Sequence, residues 1–494
     1  MKLIKLLERL TYQCKKGTID RDISTLCYDS RKVENDSIFV CITGVVSDGH
    51  SYVKEVIAKG AVVIIAEQEV AVTDGVTLLL VPSTREALAY LSAAYFDYPA
   101  EKLKTIGITG TKGKTTTTYM VYDILLEAGI KTGLIGTIET IIGDIVIPAN
   151  NTTPESYLVQ EYFAKMVEAG CECVVMEVSS QGLMLHRVSG FTFDIGVFTN
   201  MEPDHIGPGE HGSFEDYMAC KGLLFKQCKV GIANIDDKHM EQVLSGHTCT
   251  LETYGLSEKA DLRAVDTDLH SKLGNLMVLY QVKGLCDFPV KVNIPGKFTV
   301  YNSLAAIAIC RHFQISTERI KDALTQVKVK GRVEPVEVSK RFTLMIDYAH
   351  NAMSLQSVLS TLREYEPKRL VCLFGCGGNR SKDRRFEMGE ISSNLADYTI
   401  VTSDNPRFEE PQDILNDIVI GVKRGKGEYI AILDRKEAIR HSILTAKEGD
   451  IILIAGKGHE NYQEIRGVKY HMDDRELVQE IIAEMTQEQR SALL

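Results

Sequence analysis

The sequence predicts an α/β protein of three successive segments, in which a central doubly wound sheet is followed by a second open sheet. Short apolar, β-branched runs alternate with helix-length segments along most of the 494 residues. This alternation is typical of mainly parallel sheets covered by helices. The length suits about three domains of roughly 150 residues each. In addition, glycines and polar residues follow directly after the apolar runs, where open α/β sheets bind their ligands.

Residues 1–100 are predicted to form a small α/β domain. The runs "SIFVCITG" and "AVVIIAE" indicate strands, and "SYVKEVIAKG" between them indicates a helix. We expect this domain to end near the hinge "DYPAEKLK".

Residues 101–335 are predicted to form the doubly wound sheet. Its strands are expected in "KTIGITG", "KTGLIGT", "CVVMEVSS", "DIGVFTN" and "VGIANI". Around residues 250–295 the pattern changes to alternating strands, which predicts an antiparallel insertion or flap. A helical bundle from "NSLAAIAICRHF" onward is expected to close the domain.

Residues 336–494 repeat the alternation. Strands are expected in "FTLMIDYAH", "RLVCLFGCGG", "YTIVTSDNPR", "EYIAIL" and "DIILIAGKGHE". We therefore predict a third domain built on another open α/β sheet.

Composition and charge exclude several classes of function. The formal net charge of −11 gives no overall field that attracts nucleic acid or an anionic membrane. The 12 cysteines include no CxxC pair, which indicates reduced thiols in a cytoplasmic protein. Charged residues interrupt the N-terminal "MKLIKLLERLTYQ", unlike a signal peptide. No apolar run approaches the roughly 20 residues that span a bilayer.

The segment "ITGTKGKTTTTYM" resembles a phosphate-binding loop. The Walker pattern requires a glycine five residues before Gly113, but that position is Ile108. The segment nevertheless follows a strand and precedes a helix, so its N–H groups can bind an anion. Lys114 would place a charge on the β- and γ-phosphates, and the Thr115 hydroxyl could reach Mg²⁺. The alternative is a surface turn.

Three further residues follow strands or lie near them in the second segment. Glu177 is either a sheet-end acid or a Mg²⁺ ligand, and His205 is either structural or a ligand. Lys221, in the helical run "FEDYMACKGLLF", is by itself most simply a lysine that extends along the helix surface to water.

Two segments of the third domain suit recognition of an amino acid. In "SDNPRFEEP", Arg407 at a turn suits bidentate binding of a carboxylate, although a solvated loop charge is the simpler alternative. In "AGKGHENYQ", Glu460 could hold an amine. A site that combines the two would recognise a zwitterion.

Taken together, these motifs resemble the Mur ligases, ATP-dependent enzymes that form amide bonds in peptidoglycan synthesis. The resemblance covers nearly the whole chain and is carried by "YDSR", "GTKGKTT", "NTTPE", "MEVSS", "DYAH", "FGCGG", "DNPR" and "GKGHE". The family's loop is GTxGKT, which accounts for the closely spaced glycines. The resemblance implies the three-domain Mur ligase architecture, with an N-terminal UDP-sugar-binding domain, a central ATP-binding domain and a Rossmann-like C-terminal domain that binds the amino acid.

The resemblance also implies roles for individual residues. The residues matching the family's ATP site are Gly110, Thr111, Lys112, Gly113, Lys114, Thr115, Thr116, Asn302, Arg332 and Asp347. Those matching its UDP-muramoyl-peptide site are Ser30, Asn151, Thr152, Thr153, Ser179 and Arg187. Those matching its amino-acid site are Arg385, Asp404, Asn405, Pro406, Arg407, Gly456 and Glu460.

Catalysis in the family implies Mg²⁺ and a modified lysine. Thr115 and Glu177 would hold one Mg²⁺, and His205 a second. Lys221 matches the lysine that is carbamylated in the family, which would make it an N6-carboxylysine that helps to hold the second ion. Lys114, Glu177, His205 and Lys221 would thus form the catalytic set.

"DNPR" resembles the signature of the family members that add meso-diaminopimelate, rather than L-lysine, to UDP-N-acetylmuramoyl-L-alanyl-D-glutamate. Arg407 and Arg385 would bind the distal carboxylate of diaminopimelate, and Gly456 and Glu460 its distal amino group. The implied reaction passes through an acyl phosphate and serves cell-wall biogenesis, cell shape and division in the cytoplasm. A monomer is expected, without nucleic-acid or membrane partners.

The sequence alone leaves two other functions open. Departures from the family pattern include Lys112 for the usual asparagine, Gln181 for histidine, and the loop at 206–213. They leave open a paralogue that adds another amino acid, such as L-lysine or glutamate, to this or a different carboxylate. A catalytically silent nucleotide-binding or scaffold protein is the third possibility, which the presence of Lys114 and Glu177 disfavours.

Overall fold

The apolar runs of the sequence form buried strands in a computed structural model of the chain. The structure describes residues 1–44, 47–204, 206–207, 210–272 and 275–493. These residues belong to two compact units, 1–263 with 305–316 and 264–304 with 317–494. The three-domain boundaries near residues 100 and 335 stay a prediction.

The N-terminal part of the first unit is a five-stranded sheet with helices. Its elements are α1 (Leu3–Leu6), β1 (Gln13–Lys16), β2 (Leu26–Cys27), β3 (Ser37–Val40), α2 (Val53–Ala58), β4 (Ala61–Ala66), β5 (Thr77–Leu80) and α3 (Thr84–Tyr95). The strand order is β1-β5-β4-β3-β2, and the pair β1 and β5 is antiparallel whereas the others are parallel.

The rest of the first unit forms a larger, doubly wound sheet. Its elements are β6 (Lys104–Thr109), α4 (Lys114–Glu127), β7 (Thr132–Ile135), β8 (Glu139–Ile142), β9 (Ile145–Pro148), α5 (Ser156–Glu168), β10 (Cys173–Glu177), α6 (Ser180–Met184), β11 (Phe193–Phe198), α7 (Phe214–Gly222), β12 (Cys228–Asn234), α8 (Met240–Val243) and β13 (Thr250–Gly255). The order is β13-β12-β11-β6-β10-β7-β8-β9, with parallel pairing from β13 to β7.

The position of β6 determines where ligand-binding loops meet. β6 lies between β10 and β11, with Ile108 opposite Glu177 on one side and Val197 on the other. These central strands are buried because both faces are covered, which explains their nearly continuous apolar sequences. The loops that follow the three strands therefore emerge side by side at one edge of the sheet.

Two elements are shared by the two units, and the second unit contains the remaining ones. The shared elements are β14 (Leu262–Lys272) and α9 (Lys297–Arg311). The others are β15 (Asn275–Gly284), β16 (Phe288–Val292), α10 (Thr317–Gln326), β17 (Glu334–Val336), β18 (Thr343–Asp347), α11 (Ala352–Arg363), β19 (Arg369–Phe374), α12 (Lys382–Leu395), β20 (Tyr398–Val401), α13 (Pro411–Val422), β21 (Glu428–Ala431), α14 (Arg435–Leu444), β22 (Asp450–Ala455), β23 (Tyr462–Ile465), β24 (Val468–His471), α15 (Asp474–Glu484) and α16 (Gln487–Leu493).

The second unit is built on a six-stranded sheet of order β17-β18-β22-β19-β20-β21. All neighbours are parallel except β17, which pairs antiparallel with β18. The loops after β18, β19, β20 and β22 thus share one edge. A separate hairpin of β23 and β24 follows β22.

The predicted α/β class and the predicted strands are confirmed, with one difference around residues 250–295. β15 and β16 form the expected antiparallel pair, but β13 pairs in parallel with β12 and with the start of β14. The burial of β13 increases toward its end rather than alternating, and the strand continues the parallel order of the central sheet. In the described part of the chain, no helix has the length and apolar character needed to cross a membrane.

Candidate active site

The predicted phosphate loop connects β6 to α4 and is held by the residues that follow β11. Gly110 has φ 149° and Gly113 has φ 82°, and a Cβ on Gly110 would overlap Thr199 Oγ1. The Thr111 N–H donates to the main-chain oxygen of Asn200, and the Lys112 N–H donates to Asn200 Oδ1. Only glycine fits at Gly110, because the conformation and the close approach both exclude a side chain.

The two lysines of the loop have different partners. Lys114 Nζ donates to the main-chain oxygens of Gly110 and Thr111, at 2.8 and 3.1 Å, and so folds back over the loop. Lys112 instead lies outward, and its Nζ is 2.7 Å from Glu202 Oε2. Lys112, which departs from the family pattern, therefore forms a local ion pair with Glu202.

Glu177 is buried at the end of β10 and connects three segments. Its Oε2 accepts hydrogen bonds from Thr115 Oγ1 at 2.9 Å and from Thr137 Oγ1 at 3.0 Å. Its Oε1 accepts from the Thr137 N–H at 2.8 Å, and a Cβ on Gly136 would lie 2.7 Å from it. The carboxylate thus joins β10, the first turn of α4 and the loop after β7.

Lys221 lies on α7 and is 1% exposed, so it does not extend to water. Its Nζ donates to the Gly110 main-chain oxygen at 2.9 Å and lies 4.5 Å from the centroid of the Tyr217 ring. Burial, and then the charge of Lys114, lower the pKa of Lys221 well below its usual value. The predicted companion His205 lies outside the described residues.

Most of the predicted muramoyl-peptide residues gather around Glu177. Thr153 Oγ1 donates to the Glu177 main-chain oxygen and accepts from the Ser179 N–H. Thr152 Oγ1 is 3.0 Å from Thr137 Oγ1. Arg187 donates to the Thr153 main-chain oxygen, at 3.1 Å.

The remaining two members of this set are placed differently. Asn151 is exposed at the start of the same loop. Ser30 begins a 3-10 helix of the N-terminal sheet, and its main-chain oxygen accepts a hydrogen bond from Lys59 Nζ.

The other predicted nucleotide residues belong to the second unit. Asn302 is buried on α9. Asp347 ends β18, and its carboxylate accepts hydrogen bonds from the N–H groups of Val333 and Ala349. Burial raises the pKa of Asp347, and the charge of Arg332 opposes this increase. The Arg332 guanidinium also lies 5.5 Å from the centroid of the Tyr348 ring.

A cavity of about 270 Å³ lies at the edge of the second sheet where the loops after β18, β19, β20 and β22 meet. Its lining includes three arginines, an aspartate and a glutamate, together with glycines that leave room for a ligand. The lining residues are Tyr348, His350, Gly375, Gly377, Arg380, Arg384, Asp404, Asn405, Arg407, Gly456 and Glu460. The structure thus brings together five of the seven residues predicted for the amino-acid site.

Arg407 lines this cavity and is held by its backbone and by its side chain. Its φ is 52°, in the left-handed region that is strained for a residue with a side chain. Its Nε donates to Glu464 Oε2 at 3.1 Å and its Nη1 to the main-chain oxygen of Gly378 at 2.8 Å. Strain of this kind persists only where surrounding contacts hold the residue in place, and it is frequent at ligand-binding sites.

Arg385, by contrast, does not line the cavity. It is 1% exposed on α12, and its guanidinium is 2.8 Å from Glu409 and 2.9 Å from Asp417. The preceding residue, Arg384, lines the cavity instead. Pro406 also lies outside the lining, and its main-chain oxygen occupies the space that a Cβ on Gly378 would need.

Glycine is required at Gly456 for a similar reason as at Gly110. Gly456 has φ 110°, and a Cβ there would lie 2.8 Å from Asp404 Oδ2. Asn405 Nδ2 donates to Glu460 Oε2 at 2.9 Å, which links the loop after β20 to the loop after β22. The "DNPR" and "GKGHE" segments are therefore one structural element.

A larger cavity, of about 630 Å³, lies at the opposite edge of the first unit's sheet. Its lining includes Lys104, the first residue of β6, and Asp194 near the start of β11. Among the described residues, none of those predicted for the site lines this cavity. The larger cavity is therefore separate from the phosphate loop.

Several residues of the site were not predicted from the sequence motifs. Thr137 holds Glu177, Glu155 pairs with Arg187 at 2.8 Å, and Lys457 lies between Asn405 and Glu460. Of these, Lys457 had a visible signal, since it is the charged residue between two glycines of a motif already singled out.

Comparison with protein families decides the identity of the fold. The model of the "Mur ligase middle domain" matches residues 108–310, that of the "Mur ligase family, catalytic domain" matches 22–96, and that of the "Mur ligase, glutamate ligase domain" matches 331–458. The chain belongs to the Mur ligase family. The predicted resemblance and its three-domain fold are thereby confirmed.

Similar members of this family are found over the full length of the chain. One from Clostridium acetobutylicum, called UDP-N-acetylmuramoyl-L-alanyl-D-glutamate--2,6-diaminopimelate ligase 1, is 44% identical and covers 98% of this chain and 100% of its own. A ligase of the same description from Caldanaerobacter subterraneus is 42% identical and covers 98% and 99%.

Among solved structures, a UDP-N-acetylmuramoyl-L-alanyl-D-glutamate--2,6-diaminopimelate ligase superposes with a TM-score of 0.74 at 28% identity and covers 98% of this chain and 99% of its own. Folylpolyglutamate synthase of Mycobacterium tuberculosis, solved with ADP and AMPPCP, has a TM-score of 0.57 at 17% identity and covers 76% and 92%. The second likeness concerns the fold alone.

The glycine geometry of the phosphate loop can be tested directly. Replacement Gly110→Ala is expected to weaken ATP binding roughly ten- to hundred-fold, because the methyl group must displace Thr199 and strain the loop. Gly170→Ala is the matched control, since Gly170 also has positive φ but no atom lies within 4 Å of the place that its new methyl group would take. Calorimetric titration with ATP measures both variants. Equal affinities in Gly110→Ala and the control would contradict this role of the loop.

Proposed function

We propose that the chain is an ATP-dependent, ADP-forming ligase that adds meso-diaminopimelate to UDP-N-acetylmuramoyl-L-alanyl-D-glutamate in peptidoglycan synthesis. The observation that carries the proposal is the cavity in which Arg407 and Glu460, of the "DNPR" and "GKGHE" segments, lie together. A cation and an anion in one cavity suit a zwitterionic amino acid. The names of the relatives at 44% and 42% identity support the same reaction.

The proposed reaction has two steps, and the first transfers a phosphoryl group. The reacting carboxylate of the dipeptide attacks the γ-phosphorus of ATP, the bond to the bridging oxygen breaks, and an acyl phosphate and ADP form. Gly110 to Thr116 are proposed to surround the phosphates, and the N–H groups at the start of α4 are proposed to bind them, since those of Thr111 and Lys112 already donate to Asn200. Lys114 would exchange its loop carbonyls for phosphate oxygens. Catalysis of this kind consists mainly of positioning and charge stabilisation.

In the second step the free amine of diaminopimelate attacks the acyl carbon. A tetrahedral intermediate forms and collapses with loss of inorganic phosphate, and the nitrogen loses a proton. No side chain needs to form a covalent bond with the substrate. Ser30, Asn151, Thr152, Thr153, Ser179 and Arg187 are proposed to hold the UDP-muramoyl-dipeptide for this step. Asn302, Arg332 and Asp347 are proposed to complete the nucleotide site.

The residues near the phosphate loop fit Mg²⁺. Thr115 Oγ1 and both oxygens of Glu177 form a set of hard oxygen donors, which is the type that Mg²⁺ prefers. Thr115 and Glu177 would hold one ion, and His205 with Lys221 a second. Bound Mg²⁺ would neutralise phosphate charge during the transfer.

Lys221 is proposed to be carbamylated. The reaction of an amine with CO₂ requires the neutral amine, and full burial beside Lys114 favours that form. The resulting carboxylate would give α7 an oxygen ligand next to the Gly110 main-chain oxygen. Incubation with ¹³C-labelled bicarbonate should give a carbamate NMR signal that is missing from Lys221→Ala, and equal signals in both proteins would contradict the modification.

The three domains are proposed to divide the substrates among them. Residues 1–100 would bind the UDP-sugar, 101–335 ATP, and 336–494 the amino acid. Substrates of this kind suit action in the cytoplasm, and the chain is proposed to act there as a monomer.

Recognition of diaminopimelate is proposed to depend on opposite charges in the cavity. Arg407 would bind the distal carboxylate, and Asp404, Asn405, Gly456 and Glu460 would surround the distal ammonium group. Arg385 would contribute only if the ligand carboxylate replaced Glu409 as its partner.

The proposed reaction is tested by phosphate release from ATP with Mg²⁺ and UDP-N-acetylmuramoyl-L-alanyl-D-glutamate. We expect release that depends on meso-diaminopimelate and is much slower with L-lysine or without an amino acid. Release supported equally by L-lysine would contradict the proposed specificity. If no amino acid supports release from this acceptor, the chain is a paralogue with another substrate.

The role of Arg407 predicts a selective kinetic effect. Arg407→Ala should raise the KM for diaminopimelate roughly 30- to 150-fold, because a charged hydrogen-bonded contact is lost. This increase corresponds to about 2–3 kcal/mol of binding free energy. The KM for ATP should stay nearly constant. Arg466→Ala is the matched control, since Arg466 has φ 49° in the neighbouring hairpin but is exposed and pairs with Glu410. Equal increases in both KM values would remove Arg407 from the amino-acid site.

A further inference from the structure

Lys457 is a buried cation that the reaction described above leaves without a role. It follows Gly456 after β22 and is 0% exposed. Its Nζ lies 3.2 Å from Glu460 Oε2 and 3.3 Å from Asn405 Oδ1, and it donates to the main-chain oxygen of Tyr462. An ammonium group has three N–H donors, so each has an acceptor inside the protein.

Stability alone does not account for this lysine. Burial removes an ammonium group from water at a large cost, and replacing buried ion pairs by apolar side chains of similar volume is often neutral or stabilising. The presence of Lys457 is therefore better explained by a role in fixing the geometry of its neighbours than by a contribution to the stability of the fold. Its partners, Asn405 and Glu460, both line the amino-acid cavity.

Lys457 and the Glu464 N–H together determine which way the Asn405 amide faces. Asn405 Oδ1 accepts from Lys457 Nζ and from the Glu464 N–H at 2.9 Å, so the oxygen must point toward these two donors. The amide nitrogen is then directed at Glu460 Oε2, to which it donates at 2.9 Å. An amide turned the other way would place its N–H groups against the ammonium group.

The two carboxylate oxygens of Glu460 have different hydrogen-bond partners. Oε2 accepts from both Asn405 Nδ2 and Lys457 Nζ, whereas Oε1 has the Tyr348 hydroxyl at 3.4 Å. A hydrogen bond at 3.4 Å is long and weak. Oε1 is therefore the oxygen with capacity for a stronger donor in the cavity.

We propose that Lys457 is a positioning residue for the incoming amino acid. Acting through Asn405 and Glu460, it fixes the carboxylate so that Oε1 faces the distal ammonium group of diaminopimelate. This inference rests on the function proposed above. On this basis, the preference of the enzyme for an amino acid with a second amino group depends on Lys457, which does not itself contact the substrate.

The test compares diaminopimelate with 2-aminopimelate, which keeps both carboxylates but has no distal amine. The unaltered enzyme should prefer diaminopimelate in kcat/KM by about tenfold or more, the value of one charged hydrogen bond. In Lys457→Met this ratio should fall toward one, while the KM for ATP stays constant. Lys469→Met is the matched control, because Lys469 contacts the Tyr462 ring from the exposed side.

A second measurement separates positioning from loss of structure. Hydroxylamine can intercept the acyl phosphate without the amino-acid cavity, so Lys457→Met should retain hydroxylamine-dependent phosphate release. Glu460→Gln should lower the preference as Lys457→Met does, and the double variant should lower it no further.

Three results would overturn the proposal. The first is an equal loss of kcat/KM for both amino acids in Lys457→Met. The second is an additive loss in the double variant. The third is loss of the hydroxylamine reaction in Lys457→Met. Absence of that reaction in the unaltered enzyme would instead contradict the ligase function itself.

Discussion

The carboxylate of Glu177 is the contact on which the first unit's site depends. It is buried at the end of β10, and it accepts hydrogen bonds from Thr115 and from both donors of Thr137. Its main-chain oxygen accepts from Thr153. A buried carboxylate without these donors would be very costly. Its partners therefore fix the phosphate-loop helix and the predicted acceptor loop relative to one another.

In the second unit, the opposite charges of Arg407 and Glu460 each have hydrogen-bond partners of their own. Glu464 and Gly378 hold Arg407, while Lys457 and Asn405 hold Glu460. Because each group has hydrogen-bond partners of its own, the two groups do not need to neutralise each other across the cavity. A zwitterion can then meet both charges at once, which is the physical basis of the proposed specificity.

Much of this architecture could be predicted from the sequence, because it depends on local patterns. Buried parallel strands have continuous apolar sequences, and the glycines around Lys114 mark a loop that only they can form. Contacts between distant residues could not be predicted in this way. The burial of Lys221, the pairing of Arg385 with Glu409, and the pairing of Lys112 with Glu202 depend on how separate segments pack. Arg384 and Arg385 are adjacent in sequence, and only the packing of α12 decides which one lines the cavity.

The proposed chemistry activates the dipeptide carboxylate as an acyl phosphate on a loop anchored by Glu177. It is tested most directly with UDP-N-acetylmuramoyl-L-alanyl-D-glutamate carrying ¹⁸O in its reacting carboxylate. An acyl-phosphate route predicts that one labelled oxygen from this carboxylate appears in the inorganic phosphate released during amide formation, as measured by mass spectrometry. Release of unlabelled phosphate at the same rate as product formation would contradict it.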